Sequence, residues 1–479
     1  MGNEPKSNKL GLSGLIAMII GSTIGGGIFT TVGDMSANGA YTGAILIGWG
    51  IAGIGMYTLM MVFFGLNKYK PELKNGIYSY AQAGFGEFIG FNSAWGYWMS
   101  ALICNVSFLT LFFGTLAYFF PVFGTGNNVI SIVCGSIIVW LLTALVCKGV
   151  KSATFLTTIG TICKVIPILV FIIIIPLIGA FDMDIFMDNF WGNGTLPLGK
   201  QIMTTTSSTV WAFIGVEGAV VLSGRAKKAS DVGKASLIGF ASLLALYVLV
   251  AVMAMGIMTT EEMAELNNPQ LAQIFEAAVG PWGATMVNIA VLLSLSVALL
   301  GWTILAAECS FEAAKQGVFT NLFAKVNKND APYAATIITN GLVQFFLLVI
   351  LFNESSYLAF YTIGSSMIML PYLLSALYYE KVTRKREGMG LATKGELVKA
   401  RIFAIIGTIY GVWMIVSSGL VQFLITTILY AVGILVYVKG RKEKGLKVFK
   451  PYERNIAIVI VVLGVLSIVL MVMGVINPF

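Results

Sequence analysis

The chain has 479 residues, 57% of them hydrophobic and 11% charged, with a formal net charge of +8 and a mean hydropathy of +0.87. A water-soluble domain of this size is excluded, because apolar windows of about 20 residues, long enough to span a bilayer, recur from end to end. A membrane barrel is excluded as well, since it would read as alternating segments of about 10 residues, and the lack of any histidine removes imidazole metal ligands and imidazole proton relays.

The N-terminal Met1–Lys9 is short and polar, with no small-residue cleavage site behind a short apolar core, so no cleavable signal is expected. Hydrophobic runs then predict an all-α polytopic membrane protein of about thirteen spans. They fall at 10–34, 41–66, 86–120, 128–147, 153–180, 200–224, 234–258, 282–312, 333–352, 356–380, 402–420, 423–438 and 455–476. Two intervening stretches are too short to cross: Glu72–Phe85 reads as an interfacial or re-entrant helix, and Asn267–Val279 as a short helix on the outer face. Glu380–Lys399 reads as a basic loop, either a topology signal or a contact for anionic lipid.

The charges sort by loop. Lys6 and Lys9, then Lys68, Lys70 and Lys74, Lys148 and Lys151, Arg225, Lys227 and Lys228 fall in alternate loops. The alternation continues through Lys315, Lys325 and Lys328, Lys381, Arg384, Lys385 and Arg386, and Arg441, Lys442 and Lys444. The opposite loops hold Asp182, Asp184, Asp188, Glu261, Glu262 and Glu265, with Lys200 the exception. The positive-inside rule therefore places the N-terminus in the cytoplasm, and the net charge records topology rather than an acidic partner. Cys104, Cys134, Cys147, Cys163 and Cys309 lie in or beside apolar runs without CxxC spacing, so neither disulfides nor zinc are expected.

A repeat is visible in outline. Residues 10–180 and 200–380 each hold five spans, and 402–476 adds further transmembrane helices to a single transporter domain. An odd span count inverts the second half relative to the first. The first span of each half is interrupted, by Gly21–Gly27 in one and by Ser207–Gly218 in the other. Interrupted segments at matching positions of inverted halves point to a transporter's midplane site. Glycine disfavours helix by about 1 kcal/mol per residue, and unwound backbone survives in hydrocarbon only where it is buried in protein or lines a cavity. Close helix packing is the alternative, but Gly25, Gly26 and Gly27 cover three faces of a helix rather than one.

A broken helix offers free N–H groups at one end, suited to a carboxylate, and free carbonyls at the other, suited to an ammonium. Together these suit an amino acid. The carboxylate is assigned to the backbone around Gly25–Gly27, with Thr23 and Ile24 beside it, and the α-amino group to carbonyls near Trp211 and Ile214. Trp211 can attract a cation on its ring face or serve as a packing residue. Glu217, an intramembrane carboxylate, can exchange a proton or act as a structural cap. Lys164 lies at membrane depth in the fifth span, where it holds the break's carbonyls or reaches for the interface. Asn105 can meet a polar substrate group or a neighbouring helix, and Trp302 can roof the site. Glu308 and Glu312 gate an exit or pair with loop lysines, the latter preferred.

These stretches carry a resemblance. Gly21–Phe29 (GSTIGGGIF), Trp211–Ala219 (WAFIGVEGA) followed by SGRAK, GWTILAAE around Trp302, Phe323–Ala335 (FAKVNKNDAPYAA) and Leu370–Tyr379 (LPYLLSALYY) resemble the amino acid–polyamine–organocation superfamily. The likeness covers roughly residues 10–440 and is nearest to the basic amino acid antiporter branch, among it the arginine/ornithine antiporters. It implies the LeuT-type fold with five-plus-five inverted repeats and alternating access. It implies a carboxylate site at Gly25–Gly27, where Gly26 stands at a position that is often Ser in arginine/agmatine exchangers. It further implies Trp211 stacked on the substrate's cationic end, Glu217 in gating or proton response, and Ser100, Ala101 and Asn105 at the distal end. Trp302 falls on a helix-eight tryptophan, and Ser365 or Ser366 on a helix-ten serine. Lys164 resembles a helix-five lysine that can stand in for a bound sodium ion and that occurs in proton-coupled and exchange-type members alike. The 455–476 span fits the comparison only loosely.

Three transport modes follow: exchange of arginine for ornithine, proton-coupled uptake, and exchange of an amino acid for its decarboxylated amine. An enzyme is not expected, for there is no nucleotide loop, metal cluster or nucleophile–base set, and a non-transporting sensor is disfavoured. The expected partners are small amino acids and membrane lipid, with no nucleic acid and no cofactor. The chain is expected in a bacterial-type cytoplasmic membrane, as a monomer or homodimer.

Overall fold

The computed structural model describes residues 11–73, 77–149, 154–215, 229–352, 356–390 and 392–476. Among these residues every regular element is helical, as a bilayer requires of a chain whose backbone polar groups must be met internally. The helices are α1 (Leu12–Thr23), α2 (Thr31–Ala37), α3 (Thr42–Tyr69), α4 (Ile77–Phe85), α5 (Glu87–Leu116) and α6 (Val129–Cys147). They continue with α7 (Thr154–Leu177), α8 (Met183–Met187), α9 (Leu198–Phe213), α10 (Ala229–Met255), α11 (Thr260–Ala264) and α12 (Gln270–Val279). The last six are α13 (Pro281–Lys315), α14 (Tyr333–Ile350), α15 (Ser356–Lys385), α16 (Lys394–Ser417), α17 (Gly419–Glu443) and α18 (Pro451–Val472). Ten of the described helices are long and apolar enough to cross a membrane.

The expected short helices and basic loop recur with shifted ends. The short helices at 72–85 and 267–279 begin later than expected, at Ile77 and, just after Pro269, at Gln270. The basic loop expected at 380–399 is shorter than the sequence suggested. Helix α15 continues to Lys385 through an Arg384–Glu380 pair at i,i+4, and α16 already starts at Lys394 behind a Thr393–Glu396 capping box.

The chain divides into two compact units that interleave along the sequence. The first comprises residues through Lys68, Thr154–Thr205 and Ala212–Val297. In it α1 packs on α10 and α7, and α2 packs on α11 and α12. Small residues allow the close approaches: a side chain at Gly48 would overlap that of Thr205, one at Gly53 would lie 2.7 Å from Leu244, and one at Gly239 2.9 Å from Ile19. Trp49, Phe213, Phe240 and Tyr247 form an aromatic cluster, with Trp49 and Tyr247 centred 5.0 Å apart.

The second unit comprises Tyr69–Ala153, Thr206–Trp211 and the chain from Ala298. Helix α5 is its axis, packed on α15, α4, α14 and α17. Its tryptophans are each tied by the indole N–H: Trp95 donates to the Leu429 carbonyl at 2.9 Å and Trp98 to Thr339 Oγ1 at 3.0 Å. Asn340 on α14 donates to Thr143 on α6 at 2.6 Å. The thirteenth expected span is α18, which packs on α17 through Gly464, where a Cβ would meet Ala431 at 3.1 Å. Its first turn is anchored by Glu453, buried and capping the backbone N–H of Lys450 at 2.7 Å.

Candidate functional site

The first unit holds a broken helix. Helix α1 stops at Thr23, Ile24 turns extended (ψ 99°), and Gly26 returns to helical angles ahead of a single 3-10 turn, Gly27–Phe29, that leads into α2. The break is almost wholly enclosed: Thr23, Ile24, Gly26 and Gly27 are buried and Gly25 is half-buried.

What distinguishes the break is which of its backbone groups are met. Lys164, on α7 and 1% exposed, donates from Nζ to the carbonyls of Gly21 (2.7 Å) and Ile24. Ser294, on α13, donates to the Gly25 carbonyl at 2.9 Å. The Gly26 and Gly27 carbonyls accept from the N–H groups of Phe29 and Thr30. Thus every carbonyl from Ile24 to Gly27 is engaged, as is that of Gly21. The N–H groups of Gly25, Gly26 and Gly27 donate to no described residue. Thr23 Oγ1 is likewise buried without a partner. A set of open donors beside a buried ammonium is suited to an anion and hostile to a cation.

The sequence places a second interruption at Ser207–Gly218; the structure keeps this stretch helical through Phe213 and ends the helix within it. Helix α9 runs unbroken through Phe213, then turns at Ile214 and Gly215, whose φ is +102°. Within this stretch Thr209 donates back to the Thr206 carbonyl at 3.0 Å, as Thr204 and Thr205 just before it do to carbonyls three residues earlier at 2.8 Å. Trp211 therefore sits in the last helical turn and Ile214 just past it, at the negative end of the helix dipole. Ile214 is buried in the first unit. Glu217 lies outside the described residues.

In the second unit Trp211 is boxed by aromatic rings. Its ring lies 5.4 Å from that of Phe108 and 5.3 Å from that of Tyr361, both tilted rather than stacked, and Tyr361 exchanges a 2.7 Å hydrogen bond with Ser208 one turn back on α9. Helical spacing aligns other expected residues with this box. Ala101 and Asn105 precede Phe108 on one face of α5, and Ser365 follows Tyr361 by one turn on α15. Asn105 is 2% exposed; its amide donates to Thr303 Oγ1 at 3.4 Å and its carbonyl oxygen has no partner. Ser365 Oγ is also buried and unpartnered. Buried polar atoms are seldom left unmet without a reason, and these are a carbonyl and a hydroxyl on residues one helical turn from Phe108 and Tyr361, a set suited to a hydrogen-bonding cation.

Ser100 is committed elsewhere, donating to the Gly364 carbonyl at 2.7 Å and so tying α5 to α15. Trp302 lies on α13 next to Thr303 and is 9% exposed. Glu312 pairs with Lys315 at 2.9 Å, as preferred from sequence. Sequence reasoning missed Ser294, Thr303, Phe108 and Tyr361. Ser294 and Thr303 are ordinary hydroxyls within apolar runs, and only the fold singles them out. Tyr41, just before α3, is a further tie: it donates to Glu261 at 2.8 Å, and burial together with that carboxylate pushes its phenol up to about 12.

Comparison with known proteins bears on what these groups serve. A profile of the amino acid permease family matches residues 10–418. An arginine/ornithine antiporter of Pseudomonas aeruginosa is 43% identical over 96% of each chain. A putative arginine/ornithine antiporter of Escherichia coli K12 is 38% identical over 91% of this chain and 92% of its own. An arginine/agmatine antiporter of Chlamydia felis is 36% identical over 93% of each. The chain is a multi-pass membrane transporter rather than an enzyme, and it belongs to the amino acid permease family of the amino acid–polyamine–organocation superfamily.

Proposed function

We propose that the chain exchanges a basic amino acid, arginine, for ornithine by alternating access. One observation carries this reading: the open polar groups have opposite character in the two places expected to meet substrate. At the α1 break they are backbone donors with the carbonyls already taken. Around Trp211 they are an acceptor, a hydroxyl and ring faces. A zwitterion with a cationic side chain needs both. In this reading Gly25, Gly26 and Gly27 receive the carboxylate, carbonyls near Trp211 and Ile214 the α-amino group, the Trp211 ring stacks on the cationic end of the side chain, and Asn105, Ala101, Ser365 and Trp302 surround that side chain. Lys164 fixes the break, and Glu217 acts in gating or proton response. The names carried by the relatives from P. aeruginosa and E. coli support the same pair of substrates.

The fold assigned to this reading is the LeuT type, with inverted repeats at 10–180 and 200–380, thirteen spans and a cytoplasmic N-terminus in a bacterial plasma membrane. Support comes from the separation of Lys and Arg between alternate loops and from the helix endings at Thr23 and Phe213.

Arginine and ornithine each carry one net positive charge at neutral pH, so their exchange is electrically silent. The relative from C. felis favours a second reading, exchange of arginine for agmatine. That amine is a dication without a carboxylate. Its return would move one charge, about 2.3 kcal/mol per 100 mV, and would leave the break's donors unserved, which is why ornithine is preferred. The test is uptake of labelled arginine into proteoliposomes that are empty, loaded with ornithine or loaded with agmatine, with and without a membrane potential. Uptake only against ornithine, unaffected by potential, supports the proposal. Uptake into empty vesicles driven by a pH gradient replaces it with proton-coupled import.

A further inference from the structure

We infer that the carboxylate of Asp34, with the side-chain carbonyls of Gln270 and Asn268, forms a binding site for an alkali cation. Asp34 lies on α2, seven residues beyond Gly27, and is 2% exposed. Gln270, at the start of α12 and 3% exposed, donates from Nε2 to Asp34 Oδ1 at 3.0 Å. The side chains of Thr30 and Asn268 approach the same carboxyl. Three oxygens of this group are buried without any hydrogen-bond partner: Asp34 Oδ2, Gln270 Oε1 and Asn268 Oδ1.

The count of these oxygens decides what would serve them. A buried carboxylate needs a positive partner, and the described helices packed on α2 supply none. No basic residue stands on α2 or on α11 and α12, the helices it packs against; their charged residues are Glu261, Glu262 and Glu276. A proton on Oδ2 would provide one donor, enough for Oδ2 and a single amide oxygen. A water would provide two donors but no charge. One small cation serves all three oxygens and neutralises the carboxylate. One carboxylate with neutral carbonyls suits a monovalent ion better than a divalent one, which draws on more carboxylates. The absence of His and the apolar setting of the cysteines, which argue against zinc, have no bearing on an oxygen-only site.

The site has a place in the mechanics. Gln270 is in van der Waals overlap range of any side chain placed at Gly33, so α2 and the start of α12 meet closely here. A cation held between Asp34 and Gln270 pins the segment that follows the α1 break.

The test is the thermal unfolding midpoint of the purified protein in detergent, titrated at constant ionic strength with sodium, potassium or choline chloride. The expected result is a saturable rise with sodium or potassium over choline that is absent in Asp34→Asn and in Gln270→Leu. Equal midpoints in all three salts would overturn the inference and assign the oxygens to a proton or water. So would a rise retained in either variant. If Asp34→Asn fails to fold, Gln270→Leu and the salt comparison on the native chain still decide it.

Discussion

The break in α1 and the end of α9 solve the same problem, ending a helix inside a membrane protein, by different means. At the break, where the proposed site uses the backbone itself, the carbonyls are held from outside by Lys164 and Ser294 and the N–H groups of Gly25, Gly26 and Gly27 meet no described residue. At the end of α9 the backbone remains helical through Phe213 and the side chains do the work, with Trp211 set between Phe108 and Tyr361. If the proposed site is right, the difference teaches how charge selectivity is divided: fixed backbone dipoles would choose the anionic end of a substrate, and aromatic faces with an unpaired amide oxygen the cationic end.

The sharpest way to break this contrast is at Lys164. Replacing it with Ala leaves two buried carbonyls without donors, at a cost of about 1–3 kcal/mol each. Exchange is expected to fall by about 100-fold or more while inserted protein, followed by fluorescent size-exclusion profiles, persists. Lys164→Gln, which can still donate, should recover part of the loss. Equal loss in both variants would show that the charge, not the carbonyl contact, is what matters.

Trp211→Leu removes a cation–aromatic contact of about 0.5–2 kcal/mol, a roughly 2- to 30-fold loss of affinity. Competition assays should show that loss for arginine and ornithine but little for neutral citrulline. A uniform loss across all three would mean that Trp211 only packs. Ser294→Ala should act in the opposite sense. It frees the Gly25 carbonyl, costs about 1 kcal/mol or roughly fivefold, and should weaken every carboxylate-bearing competitor alike. The smallest effect is expected for Thr303→Val, which releases Asn105 from a long 3.4 Å contact. A change of about twofold in the arginine-to-ornithine preference is expected, read from the same competition series.

Much of the first region was legible in the sequence and less of the second. Three adjacent glycines inside an apolar run have no packing explanation that uses one helix face, so Gly25–Gly27 announced the break, and Lys164 announced itself as a charge too deep to be idle. Ser294 could not be found, because a serine in an apolar run most often bonds its own helix, as Ser296 does to Leu292 at 2.8 Å. The second interruption was drawn from Ser207, but the stretch stays helical through Phe213, with Thr209 bonding its own helix, and the stop comes at Ile214 and Gly215. The aromatic box needed the tertiary fold, since Phe108, Trp211 and Tyr361 come from three helices distant in sequence. Asp34 was not singled out from the sequence, because its partners Asn268 and Gln270 lie over 230 residues away.

The most direct test of the account is competition against labelled arginine exchange in ornithine-loaded proteoliposomes by arginine methyl ester, which keeps the guanidinium and loses the carboxylate. Two charge-assisted hydrogen bonds to the break at about 1.5–3 kcal/mol each predict that the ester competes at least about 100-fold more weakly than arginine. An ester that competes as well as arginine would contradict the assignment of Gly25–Gly27 to the carboxylate.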